Sequence, residues 1–205
     1  MTVAAVVLAA RPESALADAD GLPSARRIAE AAWSGGAIPV VVVCADPDGA
    51  VAGALVGTEA ALFEPAPLAG GPVGQICRGI DAAVGLVGET DAALVWPAGM
   101  SWPDPETITS LIEAHGTDPA AILRPEFDGE AGWPALVPIE LLERLRGLSA
   151  DRMPDELVGD LASAGERVRT LDLGDPGTTH PGSTRRADLP SYRGPSEPAS
   201  GHAHE

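Results

Sequence analysis

Val3-Ala4-Ala5-Val6-Val7-Leu8-Ala9-Ala10 is an unbroken run of small and β-branched apolar residues with no polar alternation. A strand with one wet face alternates polar and apolar side chains, so this run predicts a strand covered on both faces, the central type in a parallel α/β sheet. In such sheets ligands gather outside the carboxyl ends of the strands, which directs attention to the residues after Ala10. That segment, Arg11 to Asp20, contains no glycine, and acidic residues outnumber the single arginine. The position suits a phosphate loop, but the chemistry does not, because close backbone approach to a phosphate favours glycine.

Working outward, Ile38–Cys44 and Ala92–Trp96 repeat the same buried-strand signature. Between the strands lie helical patterns. Ser24 is placed to cap a helix reaching Ser34, which Gly35-Gly36 stop. Asp46 to Asp48 open a short helix, and Ala60–Glu64 is a weaker strand. A Gly/Pro-rich loop over residues 65–74 precedes a helix carrying Ile76, Ile80, Val84 and Val87 at helical spacing. Asp104 and Pro105 are read as the cap and first turn of a helix through His115. Ala120–Arg124, Pro134–Val137 and Arg167–Leu173 complete the strands, with helices over Ile139–Arg146 and Pro154–Ala164. The alternation predicts a three-layer, mostly parallel, doubly wound α/β sheet of Rossmann-like type. It occupies residues 1–173, and a Gly/Pro/Ser-rich tail at 174–205 is disordered unless it packs on something.

The formal charge of −17 disfavours nucleic acid and anionic membranes as partners. All thirteen basic residues are arginine, so no lysine is present to serve as phosphate ligand, Schiff base or general base. Cys44 and Cys77 fit no metal or redox spacing and read as buried free thiols. No apolar run approaches the ~18 residues of a membrane span, and Arg11 comes after the first apolar run rather than before it, so a cytoplasmic protein is expected.

The chain resembles the MobA/MocA-like NTP transferases, the nucleotidyltransferases of molybdenum-cofactor maturation, over residues 3–173 and onward toward 189. The resemblance rests on Val3–Ala10, on Gly70-Gly71 ahead of Gly79-Ile80, and on Asp104-Pro105-Glu106-Thr107-Ile108. It rests also on Ile122–Pro125 running through Asp128-Gly129, Gly132 and Pro134. It implies a nucleotide contact set of Ala9, Ala10, Arg11, Gly70, Gly71, Gly99 and Met100, with magnesium and a nucleoside triphosphate as cofactor and substrate if the chain is active.

The departures fall on the chemistry. In the family the first strand runs into a glycine-rich loop ending in lysine. Here Arg11 stands at the first loop glycine and the lysine is missing. The family's magnesium aspartate after the fourth strand corresponds to Gly99, within Ala98-Gly99-Met100-Ser101. A late D-x-D-T-P motif would fall near Gly182–Arg186, where the residues are Gly, Ser, Thr, Arg and Arg. No catalytic and no metal-ligating residue is therefore assigned. Asp104, Asp18 and Asp20 read better as a helix cap and solvated loop residues than as replacement ligands.

Among other candidates, His202 and His204 with Glu205 have metal-binding types but sit in the tail, and His115 reads as a surface residue at a helix C-terminus. Trp96, Trp102 and Trp133 read first as packing, second as a contact surface. The favoured expectation is a catalytically degenerate nucleotidyltransferase-fold protein acting as a binding or partner subunit, with a protein or a nucleotide as its partner. The alternative is an active, divergent nucleotidyltransferase that moves a nucleotide from an NTP to a molybdopterin-type or phosphorylated acceptor. A glycosyltransferase of related fold would need a D-x-D motif that is not found.

Overall fold

The computed structural model describes residues 1–194. The strands are β1 (Val3–Leu8), β2 (Asp18–Ala19), β3 (Leu22–Pro23), β4 (Val40–Val43), β5 (Ala60–Phe63), β6 (Ala92–Pro97), β7 (Ile122–Phe127), β8 (Glu130–Ala131), β9 (Ala135–Pro138) and β10 (Val168–Asp172). The α-helices are α1 (Pro12–Ala15), α2 (Ser24–Ser34), α3 (Ala50–Leu55), α4 (Gly71–Leu86), α5 (Pro105–Thr117), α6 (Leu142–Arg146) and α7 (Pro154–Ser163). The main sheet runs β10-β7-β9-β6-β1-β4-β5, with β8 added to β7, while β2 and β3 form a separate hairpin. Neighbours on that path pair in parallel except around β9, which is antiparallel to both β6 and β7. This is the mostly parallel, layered α/β sheet expected from the sequence.

β1 lies at the centre, with Ala5 opposite Val40 on one side and Val3 opposite Ala92 on the other. Its side chains alternate between two cores. Val3, Ala5 and Val7 pack with Ile28 of α2 and with Ile108 and Leu111 of α5. Ala4 and Val6 pack with Ile76 and Ile80 of α4 and with Leu157 and Leu161 of α7. A strand with helices on both faces has no place for a polar side chain, which is why the Val3–Leu8 run lacks polar alternation. The approach of α4 is close enough that a Cβ on Gly79 would collide with Val6 Cγ1. The edge strands β5 and β10 are only partly covered, matching their weaker apolar patterns.

Three local expectations are corrected. Ser24 opens α2, but its hydroxyl caps nothing there: it donates to the carbonyl of Ala98 and ties the helix to the end of β6. Asp104 holds the N-cap position of α5 without a side-chain capping bond. His115 is not a surface residue. It is 1% exposed, because the last turn of α5 rolls onto the sheet. Burial pushes its imidazole pKa below the usual histidine value, against the opposing pull of Asp91, Asp118 and Glu140.

The change of composition at Gly174 does not take the chain away from the sheet. Every residue from Leu173 to Thr178 is buried. Asp175, 1% exposed, anchors this strap. Its carboxylate accepts from Asp104 N at 2.9 Å, Thr107 Oγ1 at 2.6 Å and Gly177 N at 2.8 Å. The capping function read onto Asp104 is thus supplied across the fold by Asp175, which satisfies a donor at the start of α5. His202, His204 and Glu205 lie outside the described residues.

Candidate functional site: the carboxyl ends of β1 and β6

The carboxyl ends of β1 and β6 are drawn together by Ala98 N donating to Leu8 O at 2.9 Å. Ala9 is buried and gives its N–H to Val43 O at 3.1 Å, while Ala10 and Arg11 are exposed. The chain then turns at once into the one-turn helix α1. Ser14 N returns to Arg11 O and Leu16 N to Pro12 O, both at 2.9 Å. The N–H groups of Ser14, Ala15 and Leu16 are thus spent inside this turn rather than offered outward. The β2–β3 hairpin comes next, its tip held by Gly21 N on Asp18 Oδ1 at 3.1 Å. Asp18 is therefore a turn former, and Asp20 occupies the tip in the left-handed region at φ 61°.

Gly70 and Gly71 sit at the start of α4. Gln75 clamps the preceding loop through both its amide atoms, to Ala66 N at 2.9 Å and Ala66 O at 3.0 Å. Gly71 has φ +54°, and a Cβ there would strike the carbonyl oxygen of Ala150. Gly71 thus admits the chain's own α6–α7 connection against the helix N-terminus, whereas a Cβ on Gly70 would meet only Ala66 at 3.9 Å.

Gly99 and Met100 lie in the turn after β6, closed by Met100 N on Pro97 O at 3.0 Å and braced by Trp96 Nε1 on Met100 O at 2.7 Å. The strap crosses directly above. Gly182 N donates to Gly99 O at 2.6 Å. The stretch Gly182–Arg186, where the family resemblance puts the late motif, therefore begins directly against Gly99, where it puts the metal aspartate, and neither Gly99 nor Gly182 has a side chain. A Cβ on Gly99 would point into open space, whereas one on Gly182 would lie 2.5 Å from Ser101 Oγ. The strap also lays Gly177 on the backbone of Trp102 and Thr178 on Gly132, with Trp133 N donating to Thr178 O at 2.8 Å.

Magnesium bound by protein needs one or two carboxylates beside the phosphates. Among the described residues no group of three His, Cys, Asp or Glu side chains is arranged to hold a metal ion. Arg186 engages Asp104 at 3.4 Å, so that carboxylate faces the strap. The donor set at Gly99 and Gly182 does not fit a divalent cation, and α1 does not fit a triphosphate.

Trp96, Trp102 and Trp133 are 0%, 3% and 6% exposed, so the contact-surface reading of these rings is corrected to packing. Arg124 covers Trp133, its guanidinium carbon 4.8 Å from the ring centroid and its Nε bonded to Gly132 O at 2.9 Å. The residues that sequence reasoning missed are Asp175, Ser101, Arg27 and Arg186. A Gly-Asp-Pro-Gly stretch signals a turn. Nothing local signals that its carboxylate caps a helix 71 positions earlier.

The MobA-like NTP transferase domain matches residues 11–165. The chain belongs to this family. Its fold is similar to that of a nucleotidyl transferase from Methanothermobacter, with a TM-score of 0.65 at 18% identity, covering 82% of this chain and 85% of that one. It is similar also to 2-C-methyl-D-erythritol 4-phosphate cytidylyltransferase from Thermus thermophilus, with a TM-score of 0.65 at 17% identity over 92% of this chain and 96% of that one. A Mycobacterium tuberculosis protein, Rv0371c, solved in complex with manganese, gives 0.63 at 17% identity over 84% and 88% of the two chains. A comparison with curated protein sequences gave no match. Among the described residues, no helix of this MobA-like domain is long and apolar enough to cross a membrane.

Proposed function

We propose that this MobA-like domain has lost metal-dependent nucleotidyl transfer and acts in the cytoplasm as a binding or partner subunit. The observation that carries the reading is the 2.6 Å hydrogen bond from Gly182 N to Gly99 O. It joins Gly99, where the family resemblance puts a metal aspartate, to the start of the Gly182–Arg186 stretch, where it puts a late D-x-D-T-P motif and where no carboxylate stands. The closed turn of α1 and the absence of lysine point the same way. Nucleotidyl transfer depends on neutralising phosphate charge and on positioning. By analogy with oxyanion-hole donors, each lost charge-stabilising group is worth ~3 kcal/mol, or ~10² in rate. Three such losses remove most of the acceleration.

The family's link to molybdenum-cofactor maturation supports a partner in that chemistry, either a protein or a nucleotide-bearing molecule. The test is pyrophosphate release with molybdopterin and a panel of nucleoside triphosphates, with and without magnesium, beside calorimetric titration of CTP, GTP and ATP. The expected result is no turnover and no micromolar nucleotide affinity. Robust magnesium-dependent turnover by the natural sequence would overturn the reading and leave the active, divergent nucleotidyltransferase in its place.

A further inference from the structure

On the α2 side of the sheet, away from α4 and its glycines, two arginines face one cavity. Arg27 projects from α2 with its guanidinium carbon 4.6 Å from the centroid of the Trp102 ring. Its neighbour Arg26 is engaged through Nε to Glu30 at 2.8 Å and through Nη1 to the carbonyls of Ala54 and Val56 at 3.2 and 2.9 Å. Arg27 has no hydrogen bond or ion pair among the described residues. Its fork of N–H donors is unspent although the group is half-buried. Arg186 of the strap reaches the same cavity of about 260 Å³, where its contact with Asp104 is long at 3.4 Å.

The local electrostatics are unfavourable as they stand. Burial, and after it the charge of Arg186, push the Arg27 pKa below its ordinary value; Asp20, Asp104 and Glu30 pull the other way without touching it. Glu30 is occupied by Arg26 and Asp104 by Arg186. Beside the pair, the indole Nε1 of Trp102 and the hydroxyl of Ser101 are buried without partners. Two guanidiniums on one cavity with unspent donors suit an oxyanion, which accepts paired N–H bonds and offsets their mutual repulsion.

We infer that the cavity between α2 and the strap binds the oxyanion of a small molecule, a phosphate or a carboxylate group, through Arg27 and Arg186, with Arg27 held in place by its stacking on the Trp102 ring. Arg26, with three hydrogen bonds, shows that an arginine on this helix finds partners where protein atoms supply them. Arg27 is the one left to an external acceptor.

The experiment titrates the whole protein with inorganic phosphate and, separately, with succinate. Ionic strength is held constant with sodium chloride, and tryptophan fluorescence and the thermal midpoint are both monitored. The natural sequence is expected to show a saturable response and a rising midpoint with at least one of the two anions, since a ligand that binds only the folded state stabilises it. Response to phosphate alone assigns a phosphate group, and response to succinate alone a carboxylate. Arg27→Gln and Arg186→Gln are each expected to weaken binding about tenfold or more. Arg186 is exposed, so its variant reports on binding even if Arg27→Gln lowers the midpoint of the free protein. The inference is overturned if neither anion gives a saturable response, or if both variants bind as the natural sequence does.

Discussion

Asp175→Ala is the most informative single change. The carboxylate accepts three hydrogen bonds, from Asp104 N, Thr107 Oγ1 and Gly177 N, and is 1% exposed. A hydrogen bond to a charged group contributes about 1.5–3 kcal/mol net, and a donor left buried without a partner costs about 1–3 kcal/mol. Against these losses stands relief from holding a charge out of water, a penalty of several kcal/mol. The balance is a destabilisation of roughly 2–4 kcal/mol, which for a chain of this size lowers the thermal midpoint by roughly 5–15 °C. Circular dichroism melts of the natural and variant proteins read this directly.

The pH dependence provides a second readout on the same residue. Burial pushes the Asp175 carboxyl above the usual aspartate range, outweighing the bonds from Thr107, Asp104 and Gly177 that lower it. A folded pKa above the unfolded one means the contribution of Asp175 is fully present below about pH 4 and declines as pH rises through the folded value. Asp175→Asn, which carries no charge, should remove that decline while keeping part of the hydrogen bonding. A midpoint for Asp175→Ala within about 1 °C of the natural protein would refute the claim that this residue fastens the strap.

Four further outcomes are expected. Burial lowers the folded pKa of His115 below its unfolded value near 6.5, so stability is lost as pH falls below about 6.5; His115→Leu should flatten that slope in urea titrations between pH 5 and 8. Gly79→Ala drives a methyl into Val6 and should cost about 1–3 kcal/mol in chemical denaturation. Gly99→Asp enters open space and should leave the melting midpoint unchanged, yet produce no pyrophosphate release by itself. Gly182→Asp should lower the midpoint by its clash with Ser101 Oγ, and Ser101→Gly added to it should restore stability, a non-additivity that a double-mutant cycle measures.

The parts of the fold legible in the sequence are those set by local forces. β1, β4 and β6 are covered on both faces, so their side chains carry the signal without reference to any partner. The helices at Ser24–Ser34, Gly71–Leu86 and Pro105–Thr117 likewise declare themselves by period and stop signals. The reversal of β9 between β6 and β7 is silent in the sequence, because a buried strand reads the same in either direction. His115 reads as exposed because a helix C-terminus is favourable for histidine on the surface, while tertiary packing decides otherwise. The strap has the composition of a tail. Gly, Pro, Ser and Thr lack a core-forming period, yet Gly177 and Gly182 pack because they lack side chains. At the ends of β1 and β6, the departures of Arg11 and Gly99 from the family pattern are legible one residue at a time. The contact between Gly99 and Gly182 is not, since 83 positions separate them and only the fold joins them.

The cap that Asp175 provides for α5 also orders events in time. A nascent chain emerges amino end first, at about 5–20 residues per second. The donors at the start of α5 are made 71 positions before the carboxylate that satisfies one of them. For several seconds of synthesis α5 has its apolar face ready to meet β1 while its N-terminal turn is open. The carboxylate that closes this turn is translated only after every strand among the described residues. A fragment cut after Leu173 would contain all ten of those strands and lack that carboxylate.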